Sequence, residues 1–288
     1  MTDEAADEPQ FDWWRRIPVI ARAILTGIVV GLGAANVWPI LLITFGMPTA
    51  AGAELAFFIV YLWWVSGGGA PKSQSAARAD SFRVGALSRT QWIWGLIAAA
   101  GFAATVHASM VVLFRLVPFP ADAFHMGYDF SFIDTEPMRW LAIVVSAASA
   151  GICEEVGFRG YMQRPIEKRH GALLAILISS LLFALAHLNK QWSLAGMVPI
   201  VFGAGLLLGT LAWTSRTLVF CMIAHTLMDI GLFAFWWTQI VGTFTQRPIF
   251  ETGMDPSFYV ECAVAALALL ATLWAIVRVG RASAWAAN

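Results

Sequence analysis

The stretch GICEEVGFRGYM, residues 151–162, sets two adjacent glutamates and an arginine inside an apolar run that begins near residue 138. Two later apolar runs repeat the anomaly: LLFALAHL (181–188) carries His187, and CMIAHTLMD (221–229) carries His225 and Asp229. An ionisable side chain in the middle of a membrane helix costs roughly 2.5–3.5 kcal/mol on insertion scales, so by default it marks a functional site.

Composition agrees that these runs lie in lipid. The 288-residue chain is 59% hydrophobic and 12% charged, whereas a soluble domain carries about a quarter charged residues. The reading is an all-α, polytopic membrane protein. Zero net charge and the lack of a basic RNA-binding or zinc-finger pattern argue against nucleic acid as a partner. Cys153, Cys221 and Cys262 are odd in number and sit in apolar segments, so no disulfide framework is expected. Residues 1–16 are acidic and then basic, and the apolar run after them is too long for the core of a signal peptide. That run reads as a first transmembrane helix, entered through Trp13 and Trp14 as interfacial anchors.

About 20 mostly apolar residues make one span. Eight candidates follow, at about 17–45, 49–66, 91–117, 138–163, 172–189, 195–214, 217–237 and 257–279. Lys and Arg in alternate loops divide twelve against four. The rich set includes Arg15, Arg16, Lys72, Arg78, Arg83, Arg164, Lys168 and Arg216; the poor set is Arg115, Arg139, Lys190 and Arg247. The positive-inside rule then places both termini in the cytoplasm. Residues 1–137 read as N-terminal transmembrane helices, with 66–90, basic and Gly/Ser-rich, as a flexible cytoplasmic linker. Residues 138–237 hold the polar core, and 238–288 an outer loop and a last span. The segment 118–136 reads as an ordered outer loop or a re-entrant cover.

Within the core, neighbours on a helix point about 100° apart, so Glu154 and Glu155 cannot do the same job. Arg159 follows Glu155 by four residues, the spacing of an ion pair along one helix face. Glu155 is therefore expected to be neutralised, leaving Glu154 for chemistry as a general base or acid. Glu154 and His187 are equidistant from His170–Gly171. A hairpin turn there lets the two face each other at equal height, with Pro165 a potential kink. Phe183, one turn before His187, is placed to wedge the imidazole. His225 and Asp229 share a helix face, but counting from Thr217 puts His225 shallower than the hairpin puts His187. His107, His125 and His170 are read as ordinary structural histidines.

These groups suit several chemistries. Glu154 with His187 would activate water for peptide hydrolysis while His225 and Asp229 stabilise the oxyanion. The same four side chains are acceptable zinc ligands, although no HExxH is present. A G-x-S-x-G elbow is absent too, and Cys221 is read as a small buried hydrophobe rather than a nucleophile. A proton or ion pathway would also use membrane Glu, Asp and His.

At these positions the chain resembles the CPBP family of intramembrane proteases, which includes type II CAAX prenyl endopeptidases and bacteriocin self-immunity proteins. The family pattern EExxxR, FxxxH and HxxxN/D reads here as Glu154-Glu155-x-x-x-Arg159, Phe183-x-x-x-His187 and His225-x-x-x-Asp229. The resemblance covers roughly 138–237 and implies a polar active-site cavity within the helix bundle. It implies that Glu154 and His187 activate water, that His225 and Asp229 stabilise the tetrahedral intermediate, and that Glu155, Arg159 and Phe183 support them. Asp229 replaces the commoner Asn; an ionised carboxylate cannot donate to an oxyanion, which leaves protonation, orientation of His225 or metal ligation as its role. No cofactor is required on this reading, and zinc is the alternative. The expected substrate is a membrane-embedded protein or peptide in the lipid bilayer, and the expected setting is a bacterial inner membrane. The competing reading is a non-proteolytic scaffold or immunity protein that keeps the site as a polar staple.

Overall fold

The structure, a computed structural model, describes residues 12–122, 129–188 and 197–285. Outside these lie residues 1–11 of the expected tail, His125 in the expected loop 118–136, Lys190, and the abutting ends of the spans expected at 172–189 and 195–214. Among the described residues the chain forms helices and no strand.

Among the described residues, nine helices of eight residues or more carry the fold: α1 (Val19–Phe45), α2 (Thr49–Val65), α3 (Ser75–Phe82), α4 (Arg89–Leu116), α5 (Glu136–His170), α6 (Ala172–Ala186), α7 (Val198–Ser215), α8 (Val219–Trp237) and α9 (Pro256–Ala284). Six of them, α1, α4, α5, α7, α8 and α9, are long and apolar enough to cross a bilayer, so this is an integral membrane protein. The expected count of about eight is not confirmed exactly. The second and fifth expected spans are apolar helices of only 17 and 15 residues. At 1.5 Å per residue they reach about 25 and 22 Å, short of a hydrocarbon core of about 30 Å.

Burial separates the middle of the bundle from its rim. In the most apolar stretch of α5, 61% of residues are buried; in that of α9, with mean hydropathy 2.2, only 17% are. Leu267 and Leu270 of α9 and Ile43 of α1 point outward, as lipid-facing side chains should. The longest helix contact is α9 along α4; α8 packs between α4 and α5, and α6 pairs with α7.

What distinguishes α5 is a π turn over Val156–Met162, directly after the glutamate pair. A π turn breaks the α-helical hydrogen-bond ladder, and the carbonyls it frees need donors when buried. Ser179 donates to the Phe158 carbonyl at 3.0 Å, and Arg83 to that of Arg159 at 2.6 Å. The turn also brings backbones together. Gly27 and Gly31 of α1, a small-xxx-small pair, abut Gly157 so closely that a methyl on Gly157 would strike Gly31 Cα and the Gly27 carbonyl.

Segment 66–90 is not the flexible linker its composition suggests. Arg78, 3% exposed, donates to the carbonyls of Trp64, Gly68, Gly69 and Pro71, wrapping the chain before α3 around its guanidinium. Arg83 pairs with Glu167 at 3.2 Å, and Asp80 with Arg164 and Lys168, so the two basic loops meet on one face of the molecule. Burial alone would raise the Asp80 carboxyl, but hydrogen bonds from Arg164 and Lys168 outweigh it and hold Asp80 below its ordinary range. On the opposite face Arg115, at the end of α4, binds Asp255 at 2.7 Å and Glu261 at 3.1 Å, fixing α9.

Gly157→Ala should lower the thermal unfolding temperature in detergent by an amount corresponding to about 1–3 kcal/mol of overpacking. Gly33→Ala, where an added methyl meets nothing within 4 Å, should leave that temperature unchanged.

Candidate active site

The hairpin that positions the site is built as the spacing predicts. The α5 helix ends at His170, Gly171 takes φ +88°, and α6 starts at Ala172. The left-handed φ favours glycine at that corner. Pro165 falls in the first turn of the α-helical segment Gln163–His170 that follows the π turn, where a missing N–H is tolerated.

Glu155 is the node of the site. Its Oε1 accepts from Arg159 Nη1 at 2.9 Å and lies 2.8 Å from His225 Nδ1. Both members of the Glu155–Arg159 pair are fully buried. The i, i+4 pair is thus formed, and a contact that spacing did not reveal is added to it: Glu155 joins α5 to α8. A carboxylate can only accept, so His225 donates through Nδ1 and turns Nε2 toward Asp229, whose Oδ2 is 3.5 Å away.

The depth problem with His225 disappears because the start of α8 is itself inside the protein. Ser215, Thr217 and Leu218 are 1%, 2% and 0% exposed. Counting turns from Thr217 therefore does not give the depth of His225, which lies at the level of the glutamates through its 2.8 Å contact with Glu155.

Phe183 holds three partners at once. Its ring lies 4.7 Å from that of His187, 5.8 Å edge-on to that of His225, and 4.3 Å beneath the Arg159 guanidinium. The cation–π contact gives the buried guanidinium a face to rest on. His187 caps the end of α6, and its Nδ1 lies 2.7 Å from the Phe183 carbonyl. A carbonyl oxygen can only accept, so Nδ1 carries a proton, and Nε2 is the ring nitrogen that can act as a base.

Glu154 and His187 together line two cavities. The smaller, about 70 Å³, lies on the His225–Asp229 side among Met110, Met197, Met228 and Trp237. The wider, about 290 Å³, runs toward α1 past Asn36, Trp38, Ser146 and Ser149. Glu154 Oε2 is buried and makes no hydrogen bond to the protein. All of the expected site residues are therefore gathered at this junction of α5, α6 and α8.

Residues 136–231 match the family model described as Rce1-like, type II CAAX prenyl endopeptidase Rce1-like. The match covers about a third of the chain and supports membership of the CPBP family. No curated protein and no solved structure matches the chain significantly. The matched segment spans α5 to the middle of α8, the elements that carry the glutamates and both site histidines.

Among the described residues no group of three or more His, Cys, Asp or Glu side chains is placed to hold a metal. The set Glu154, His187, His225 and Asp229 therefore does not fit zinc in this arrangement, with one His225 nitrogen already committed to Glu155. Of the histidines read as structural, His107 accepts from Trp236 through Nδ1 and reaches the Met228 carbonyl through Nε2, bracing α8 against α4; His170 is exposed.

One buried acid was overlooked. Glu54 of α2 is 0% exposed and neighbours Ser149. It carries the same signal as the glutamate pair, an acid in an apolar helix (AELAFF, residues 53–58).

Removing either member of a buried ion pair leaves an uncompensated charge, at a cost of about 3–5 kcal/mol. Glu155→Ala and Arg159→Ala should each show that loss in thermal unfolding, and the double variant should lose clearly less than the sum.

Proposed function

We propose that the protein is an intramembrane endopeptidase of the CAAX prenyl endopeptidase type, hydrolysing a peptide bond in a membrane-associated protein or peptide with water activated by Glu154 and His187. The observation that carries this is the pair itself. Glu154 on α5 and His187 on α6 line both cavities together, one with a carboxylate oxygen open to a ligand and the other with Nδ1 bound to a backbone carbonyl. The family match supports endopeptidase chemistry for the same segment.

In the proposed reaction, water lies between Glu154 and His187 Nε2. Glu154 takes a proton as the water oxygen attacks the carbonyl carbon, giving a tetrahedral oxyanion. A His225 ring protonated on both nitrogens donates Nδ1–H to Glu155 and shares Nε2–H between Asp229 and that oxyanion. Asp229 then orients His225 rather than donating itself, which suits an Asp where Asn is commoner. As the C–N bond breaks, Glu154 returns its proton to the leaving nitrogen. Glu155, Arg159 and Phe183 hold His225 and His187 in place. No step requires a metal.

Against a membrane-embedded reporter peptide, Glu154→Ala and His187→Ala should each lose about 10²–10⁴-fold in kcat while unfolding at the wild-type temperature. Wild-type rates in either variant would remove these roles. Treatment with a strong zinc chelator should leave cleavage unchanged; loss restored by added zinc would overturn the metal-free mechanism.

A further inference from the structure

Glu54 has no part in the mechanism above, and its surroundings do not explain it. It is fully buried, and Ser149 of α5, 1% exposed, lies within hydrogen-bonding reach of its carboxylate. One hydroxyl proton cannot serve both carboxylate oxygens, so at least one is left without a donor. Ser149 lines the wider cavity together with Glu154, whose Oε2 is likewise buried without a partner. Buried acceptors without donors are costly, so they point to a ligand that supplies donors.

The chemistry of that ligand follows from the wall. Neither Lys nor Arg lines the wider cavity, and among the described residues no cationic side chain pairs with Glu54. A group with several donors, no acceptor and a positive charge suits a buried carboxylate behind a buried hydroxyl, which describes a primary ammonium. The Trp38 ring on the same wall adds an aromatic face for a cation. Ser149 is suited to the contact because one hydroxyl accepts from an ammonium while donating its own proton to a carboxylate.

We propose that the wider cavity is a subsite for a primary ammonium group of the peptide substrate, received by Ser149 with Glu54 behind it. The proposal rests on the endopeptidase reading and names a substrate feature for it. Because Glu154 borders the same cavity, the ammonium lies on one side of the scissile bond, and the smaller methionine-lined cavity receives the other side. Two sources share this chemistry, a lysine side chain and a free amino terminus.

The test uses the full-length protein in detergent and membrane-embedded reporter peptides differing only in charge. One pair carries lysine or Nε-acetyl-lysine near the cut, and the other has a free or acetylated amino terminus. Wild type should show a kcat/KM about tenfold higher for the charged member of one pair, a difference equivalent to about 1.4 kcal/mol, and that pair identifies the source. Glu54→Gln and Ser149→Ala, two variants so that one misfolded protein does not decide the outcome, should each bring the ratio toward one. Equal kcat/KM within both pairs, or a ratio unchanged in the folded variants, would overturn the subsite. If wild type cuts none of the peptides, the endopeptidase reading fails and thermal shift decides separately. Greater stabilisation by a charged peptide than by its acetylated partner then retains the subsite, and equal shifts remove it.

Discussion

A single buried carboxylate, Glu155, sets the geometry on which the polar interior of this bundle depends. It is fully buried, accepts from Arg159 on its own helix, and takes the Nδ1–H of His225 from another. A charge so placed is tolerable only when its partners are fixed. Those partners are fixed in turn: Arg159 rests on the face of Phe183, and Phe183 packs against both site histidines. Moving any one of the three helices would therefore expose a charge or strand a donor in apolar surroundings. Glu154, one residue away and about 100° round the helix, is left facing the cavities by the same arrangement.

The backbone makes room for this cluster. The π turn that follows Glu155 places Gly157 against Gly27 and Gly31, allowing α1 to approach more closely than side chains would permit. The carbonyls released by the turn are taken by Ser179 and by Arg83. Arg83 lies beyond α3, in the segment whose composition suggested a flexible linker. That segment is thus coupled to the helix carrying the site, through Arg83 on the Arg159 carbonyl and on Glu167.

Local features of this organisation were legible in the residues. Hydropathy gives the membrane class, four-residue spacing gives Glu155–Arg159, and Gly171 gives the hairpin corner that brings Glu154 and His187 to one level. Features that depend on how helices rotate against one another were not. The Glu155–His225 contact joins residues 70 positions apart, and no periodicity on α5 or α8 encodes it. The π turn escaped because an apolar stretch reads alike with 3.6 or more residues per turn. The number of spans was legible only approximately, because hydropathy registers apolarity more readily than the helix ends that leave α2 and α6 short. Glu54 was legible by the same rule that singled out Glu154, but it stands alone in α2 and acquires meaning only beside Ser149.

The two cavities meeting at Glu154 and His187 give the site a direction, with a methionine-lined side toward His225 and a more polar side toward α1. Water held between the two residues at that meeting point is the central claim. Single-turnover cleavage in ¹⁸O-water, followed by mass spectrometry of the products and of the enzyme segment containing Glu154, tests it most directly. Direct attack by water predicts one ¹⁸O in the newly formed peptide carboxylate and none in Glu154. Label in the Glu154 carboxylate would mean that it formed a covalent acyl intermediate, contradicting its role as the base.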